Sequence, residues 1–205
     1  MRAEEIRENC RVVTDEGEVV IDQTAHWFGD ARPEETSVLA RARPPVLDVG
    51  CGPGRHVLAL AQQGMLALGV DAAPSAVDVA RDRGAPVLQR SVFDPLPGRG
   101  RWGSALLLDG NIGIGGDPER LLRRIAELLA PRGLVLVEVH HPATASRPVT
   151  VRVEAGGATS SWFTWAVVSA TDVRRVAGVA GFDVDEIWRE GGRWFASLTG
   201  PSGND

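Results

Sequence analysis

The chain of 205 residues contains no lysine and no tyrosine, and its 22 basic residues are all arginine. Without lysine there is no Schiff-base chemistry and no phosphate-binding P-loop lysine; without either residue there is no Tyr–Lys dehydrogenase pair. Cysteine is nearly as scarce. Cys10 and Cys51 cannot build a disulfide framework and fit a reducing cytosol. No apolar run approaches the roughly 18–20 residues of a membrane span. Met1-Arg2-Ala3-Glu4-Glu5 is too charged for a signal peptide, so a cytoplasmic protein without a membrane partner is expected. A net charge of −5 leaves no broadly electropositive face for a phosphate backbone. No His, Cys, Asp and Glu cluster has metal-ligand spacing; His140 and His141 are adjacent and poorly placed to share one ion, so no metal is expected. What remains, 43% hydrophobic and 24% charged, is the composition of one ordinary folded domain.

Residues 1–45 read as a cap. Arg11–Thr14 and Glu18–Ile21 flank Asp15-Glu16-Gly17 as a hairpin, and a short helix opens at Pro33 and stops before Pro44-Pro45. From Val46 strands and helices alternate. Strands are expected at 46–49, 66–70, 85–88, 105–108 and 134–139, with helices after the first glycine cluster, at Pro74 and at Pro118. Asp117-Pro118-Glu119 combines a capping acid, proline at the first helical position and an acid at the positive end of the dipole. That helix is expected to run until Pro131 and Gly133 stop it. The alternation implies an α/β fold with a doubly wound, mostly parallel sheet. A hairpin insertion is expected near 149–168, and a C-terminal antiparallel hairpin across Gly191-Gly192 finishes residues 46–205.

Asp48-Val49-Gly50-Cys51-Gly52-Pro53-Gly54 lies between the first strand and helix of this alternation, where open α/β sheets bind ligands. The dinucleotide fingerprint wants its third glycine at position 55, which here is Arg55, so a pyrophosphate reader is disfavoured. Asp71 ends the next strand, where a carboxylate can accept the hydroxyls of an adenosine ribose.

With Gly69-Val70-Asp71 after it, Val46–Gly54 resembles the class I S-adenosylmethionine-dependent methyltransferases over roughly residues 46 to 140. The resemblance implies a seven-stranded Rossmann-like methyltransferase fold closed by the C-terminal hairpin. It implies that Gly50, Cys51, Gly52 and Gly54 line the methionine part of S-adenosylmethionine, with Asp48 beneath. Asp71 would hold the ribose and Ala72 flank the adenine. The family often has an acid after the third strand; Ser91 stands there, followed by Val92, whose amide can meet a ring nitrogen, and Asp94 can substitute for the acid. Asp109 and Asn111 fall at the family's fourth motif, beside the transferable methyl.

That motif lacks the Asn/Asp-Pro-Pro-aromatic run of base-amino methyltransferases and the Pro-Cys of C5-cytosine enzymes, so a small-molecule acceptor is expected and nucleic acid is not. An activated sulfonium donor asks chiefly for alignment, and a base is needed only for a hydroxyl or ammonium acceptor. His140 and His141, at the carboxyl edge of the sheet, are the first candidates and His26 the next; His56 can equally be a surface residue. Trp162, Phe163 and Trp165 can wall the cleft or simply pack. The expected activity is methyl transfer to a small organic acceptor, with S-adenosylhomocysteine as product. Three rivals stay open: a non-catalytic domain that binds the cofactor or its product, the same fold turned to a non-methylating reaction, and a nicotinamide oxidoreductase. Oligomeric state cannot be read.

Overall fold

The computed structural model describes residues 11–21, 24–155 and 157–202; Cys10 and the charged N-terminal residues lie outside them. The element order is β1 (Arg11–Thr14), β2 (Val19–Ile21), a 3-10 segment (Thr24–Phe28), α1 (Pro33–Leu39), β3 (Val46–Val49), α2 (Arg55–Gln62), β4 (Ala67–Asp71) and α3 (Pro74–Asp82). Next come β5 (Val87–Gln89), β6 (Trp102–Leu107), a second 3-10 segment (Asn111–Gly116), α4 (Pro118–Leu128), β7 (Leu129–Val139), β8 (Arg147–Ala155), β9 (Ala158–Thr159), β10 (Phe163–Val167), α5 (Val173–Val179), β11 (Asp183–Glu190) and β12 (Arg193–Thr199).

Seven strands form the central sheet in the order β11-β12-β7-β6-β3-β4-β5. β3, β4, β5, β6 and β7 run parallel, and β12 and β11 close the edge antiparallel. The Rossmann-like methyltransferase fold expected from the sequence is therefore present. β3 and β6 are buried almost throughout, as strands covered by helices on both faces must be. α4 shows how the sequence sets its helix: Asp117 accepts the Arg120 N–H at 2.9 Å, Pro118 starts the first turn, and Leu121, Leu122, Ile125 and Leu128 form one fully buried stripe. The helix stops earlier than Pro131 and Gly133 suggest. Leu129 is already extended (ψ 149°), because the chain enters β7 without a loop.

A second sheet has the order β10-β8-β1-β2, with β9 on β8. Both hairpins expected from the sequence are in it, and β1 pairs antiparallel with β8 from Arg11↔Glu154 to Thr14↔Val151. The N-terminal hairpin and the inserted hairpin are thus parts of one accessory sheet. It sits on the Asn111–Gly116 segment at close range: a Cβ on Gly113 would stand 2.2 Å from the Ala166 carbonyl oxygen. No helix among the described residues is long and apolar enough to cross a membrane.

Candidate active site

The glycine loop leaves β3 at the carboxyl edge of the sheet and enters α2. Gly52, at φ +52°, has nothing within 4 Å of where a Cβ would be, so the loop opens onto free space there. Asp71, at the end of β4, accepts the Gly52 N–H on Oδ2 and the Ala73 N–H on Oδ1, each at 2.8 Å. Each oxygen keeps a lone pair for a further donor. Burial raises the Asp71 pKa above its usual value against the lowering pull of these backbone N–H groups. An open turn beside a carboxylate already oriented by the loop fits a ribose and its methionine arm. Asn111 reaches across the loop: its Nδ2 donates to the carbonyls of Val49 and Gly50 at 2.9 Å. Ser91 and Asp94 close a small turn, with the Ser91 N–H on Asp94 Oδ2 at 3.1 Å. The Val92 N–H makes no hydrogen bond among the described residues.

Beneath the loop lies an ion network. Arg55, whose side chain is 4% exposed, donates from Nε and Nη2 to Glu35 at 3.2 and 2.7 Å, and from Nη2 to both oxygens of Asp109 at 2.7 Å. Arg193 donates to Glu35 (2.5 Å), Asp109 (3.0 Å) and both oxygens of Glu138 (2.8 and 2.5 Å). The Asp109 N–H reaches Glu138 Oε2 at 2.7 Å, which holds Asp109 at φ +56°, a left-handed conformation unusual outside glycine. Burial pushes Glu35 and Asp109 up, but the facing cations outweigh it and both carboxyls sit below their ordinary range. Burial pulls Arg55 and Arg193 down, and their carboxylate partners more than restore them. His56 is buried between Asp48 (Nδ1 to Oδ2, 3.8 Å) and Glu35 (Nε2 to Oε2, 3.7 Å), too far for hydrogen bonds, so it is no surface residue. Burial raises Asp48 to about 6 despite the lowering influence of His56 and Arg55, and pushes the Cys51 thiol up, leaving it an inert packing group.

The network floors a cavity of about 260 Å³. The cavity is lined by the charged residues Arg32, Arg55, Asp109, Glu138 and Arg193, by the apolar Val20, Ile21, Trp27 and Val139, and by Gly110, His26 and His140. His140 aims Nε2 at this space: a Cβ on Gly110 would stand 3.9 Å from it. Burial lowers its pKa, so the imidazole holds its neutral form below the usual histidine range.

A family model described as a methyltransferase domain matches residues 29–187, which include the glycine loop, Asp71, Asp109 and Glu138. The chain belongs to the methyltransferase-domain family. The resemblance to class I S-adenosylmethionine-dependent methyltransferases is thereby borne out, and S-adenosylmethionine is the cofactor of that class. Among solved structures, this methyltransferase is similar to an S-adenosylmethionine-dependent methyltransferase from Bacteroides fragilis crystallised with S-adenosylhomocysteine (24% identity, TM-score 0.78, 98% of this chain and 97% of that one). It is similar also to the Burkholderia thailandensis 1,6-didemethyltoxoflavin N1-methyltransferase, solved with its substrate and S-adenosylhomocysteine (20% identity, TM-score 0.60, 83% and 80%). A third is a sugar N-methyltransferase from a Streptoalloteichus species (19% identity, TM-score 0.61, 82% and 85%).

Of the residues singled out from the sequence, the structure gathers Gly50, Cys51, Gly52, Gly54, Asp71, Ala72 and Asn111 around the loop, with Asp48 buried beneath. It brings His140, His26 and Asp109 to the cavity. His141 is not among the cavity's lining residues; it is exposed, accepts the Ala143 N–H at 3.1 Å and meets the edge of Trp194. The hairpin aromatics do not wall this cavity. Trp162 and Phe163 are exposed, with the Arg152 guanidinium over Trp162, and Trp165 borders a different hollow; Trp27 takes the place against the cavity. Sequence reading missed Glu35, Glu138 and Arg193. Glu35 reads as a dipole-complementing acid of α1 and is instead fully buried. Glu138 carried a usable signal, an acid inside the apolar run Leu134–Val139.

Proposed function

We propose that this methyltransferase transfers the methyl group of S-adenosylmethionine to a small organic acceptor held in the cavity at Asp109 and Gly110, under a cap formed by residues 1–45. The observation that carries this reading is the position of the cavity. It lies just past the end of β6, at Asp109 and Gly110, reaches Arg55, the first residue of α2 after the glycine loop, and is lined from the N-terminal segment by Val20, Ile21 and Trp27. About 260 Å³ is below the usual range for drug-sized ligands, which supports a small acceptor over a macromolecule. The toxoflavin-precursor and sugar methyltransferases of the same fold act on molecules of modest size, in keeping with that choice.

The cofactor supplies an activated methyl, and the chain supplies position. Asp71, Gly50, Gly52 and Gly54, Ala72 and the Val92 amide hold the adenosine and methionine parts, with Asp94 beside them. Asp109 and Asn111 orient the turn next to the methyl. His140, neutral through burial, takes the proton of a hydroxyl or ammonium acceptor at Nε2, with His26 as the second candidate on the same cavity.

Calorimetric titration with S-adenosylmethionine, S-adenosylhomocysteine and NAD tests the cofactor part. We expect saturable binding of the first two, at least tenfold weaker in Asp71→Ala, and none of NAD. His140→Gln is expected to leave that binding intact and lower turnover by about 10²–10⁴-fold. Failure of wild type to bind either sulfur ligand would overturn the reading.

A further inference from the structure

Which acceptors the cavity favours follows from the polar capacity left in its wall. Both carboxylates facing it are already held by arginine, with three bonds each and one lone pair left on Asp109 Oδ2 and on Glu138 Oε1. Asp109 takes Arg55 on both oxygens and Arg193 on one; Glu138 takes Arg193 on both and the Asp109 N–H besides. Glu35, behind them, is equally committed to Arg55 and Arg193. Little acidic capacity is left there for an incoming cation. Arg32 is the opposite case. It borders the cavity at the start of α1, and among the described residues its buried Nε has no hydrogen-bond partner and its one ion pair is a long one, Nη1 to Glu34 Oε1 at 3.6 Å. Its Nη groups make no hydrogen bond among the described residues, and an oxygen anion in the cavity would take a charge-assisted bond from them. The cavity wall carries the guanidinium groups of Arg32, Arg55 and Arg193 and the carboxylates of Asp109 and Glu138, with the Glu35 carboxylate behind balancing the count.

On the basis of the methyltransferase reading, we infer that the acceptor is a small carboxylic acid whose carboxylate pairs with Arg32 and whose apolar body lies against Ile21 and Trp27. One ring or a short chain fills the volume. Arg32 is then a specificity residue, distinct from the arginines that hold the floor.

The test uses the whole chain, with and without saturating S-adenosylhomocysteine. Benzoate, phenylacetate and 3-phenylpropionate are titrated calorimetrically beside their primary amides and beside benzylamine and phenethylamine. The expected result is binding of at least one acid, with its amide and the matched amine weaker by about tenfold or more. Arg32→Gln should lose that preference while its affinity for S-adenosylhomocysteine stays within about twofold, and Arg32→Lys should recover part of it. If no acid binds, if amide or amine binds as well as acid, or if Arg32→Gln keeps the acid, the inference is wrong. Loss of S-adenosylhomocysteine binding in wild type would instead strike the cofactor reading, and the acid titration without it would still decide the question of charge.

Discussion

Glu35→Gln is the substitution that best probes the network under the active site. The Glu35 side chain is 0% exposed and joins three parts of the chain: it accepts Arg55 from α2, Arg193 from β12 and the Arg32 N–H of its own helix start at 2.9 Å. Glutamine keeps the shape and one acceptor oxygen. It removes the charge and turns an NH2 group toward the guanidinium groups. Taking one partner from a buried ion pair costs about 3–5 kcal/mol, because the remaining charge stays buried. Against a total of about 5–15 kcal/mol, that is a large fraction. At about 2–4 °C per kcal/mol for a chain this size, the melting temperature should fall by about 10 °C. Urea unfolding followed by tryptophan fluorescence at pH 7 reads the effect. The pH dependence has a definite sign. Contacts with His56 and Arg55 outweigh burial and depress Glu35 below its ordinary 4.5, so its contribution is complete above 4.5 and is lost only as pH falls through the depressed value. The gap between wild type and variant should stay level from pH 8 to about pH 5.5 and narrow in acid. A loss under about 1 kcal/mol with an unchanged denaturant slope would refute the network's structural role.

Asp48→Asn should behave in the reverse sense. Burial raises Asp48 from 3.8 to about 6, so its carboxyl favours the folded state below 3.8 and that advantage goes as pH rises through 6, about 3 kcal/mol in all. The asparagine variant is expected to melt higher than wild type at pH 7.5 and at nearly the same temperature at pH 4; a pH-independent difference in thermal melts would contradict this. Gly110→Ala forces an alanine to φ +75°, costing about 1–2 kcal/mol, and sets a methyl 3.7 Å from Ile21 Cδ1 and 3.9 Å from His140 Nε2. Acceptor binding should weaken while S-adenosylhomocysteine binding holds, measured by calorimetry; equal loss of both would show that the turn serves the cofactor first.

The central sheet was readable because its signals are local. Asp117-Pro118 starts α4, Gly191-Gly192 turns the last hairpin, and each buried strand is a short apolar run. The accessory sheet was readable only in halves. β1 with β2 and β8 with β10 each announce a hairpin through their turn residues, but the pairing of β1 with β8 joins residues about 140 positions apart, and neither strand carries a mark of its partner. Trp162, Phe163 and Trp165, which the sequence leaves free either to wall the cleft or to pack, belong to the β10 side of β8, away from β2. The strand that reaches the cavity is β2, through Val20 and Ile21.

The same limit governs the charged floor, with an added physical reason. An ion pair is a relation between two side chains, and either one alone looks like a surface residue. Arg55 read as an absent glycine and Glu35 as a helix-start acid, yet each is buried because the other is there. Burying one without its partner would be prohibitive, so the pair is meaningful only when the fold brings positions 35, 55, 109, 138 and 193 together. Arginine suits that task. Its planar fork can bond several carboxylate oxygens at once and stays charged when buried, whereas a lysine would offer one compact ammonium to three acids. A chain without lysine can therefore keep Asp109, at its strained φ, held from both sides, and that fixed turn is what a methyl acceptor at Gly110 would be aligned against.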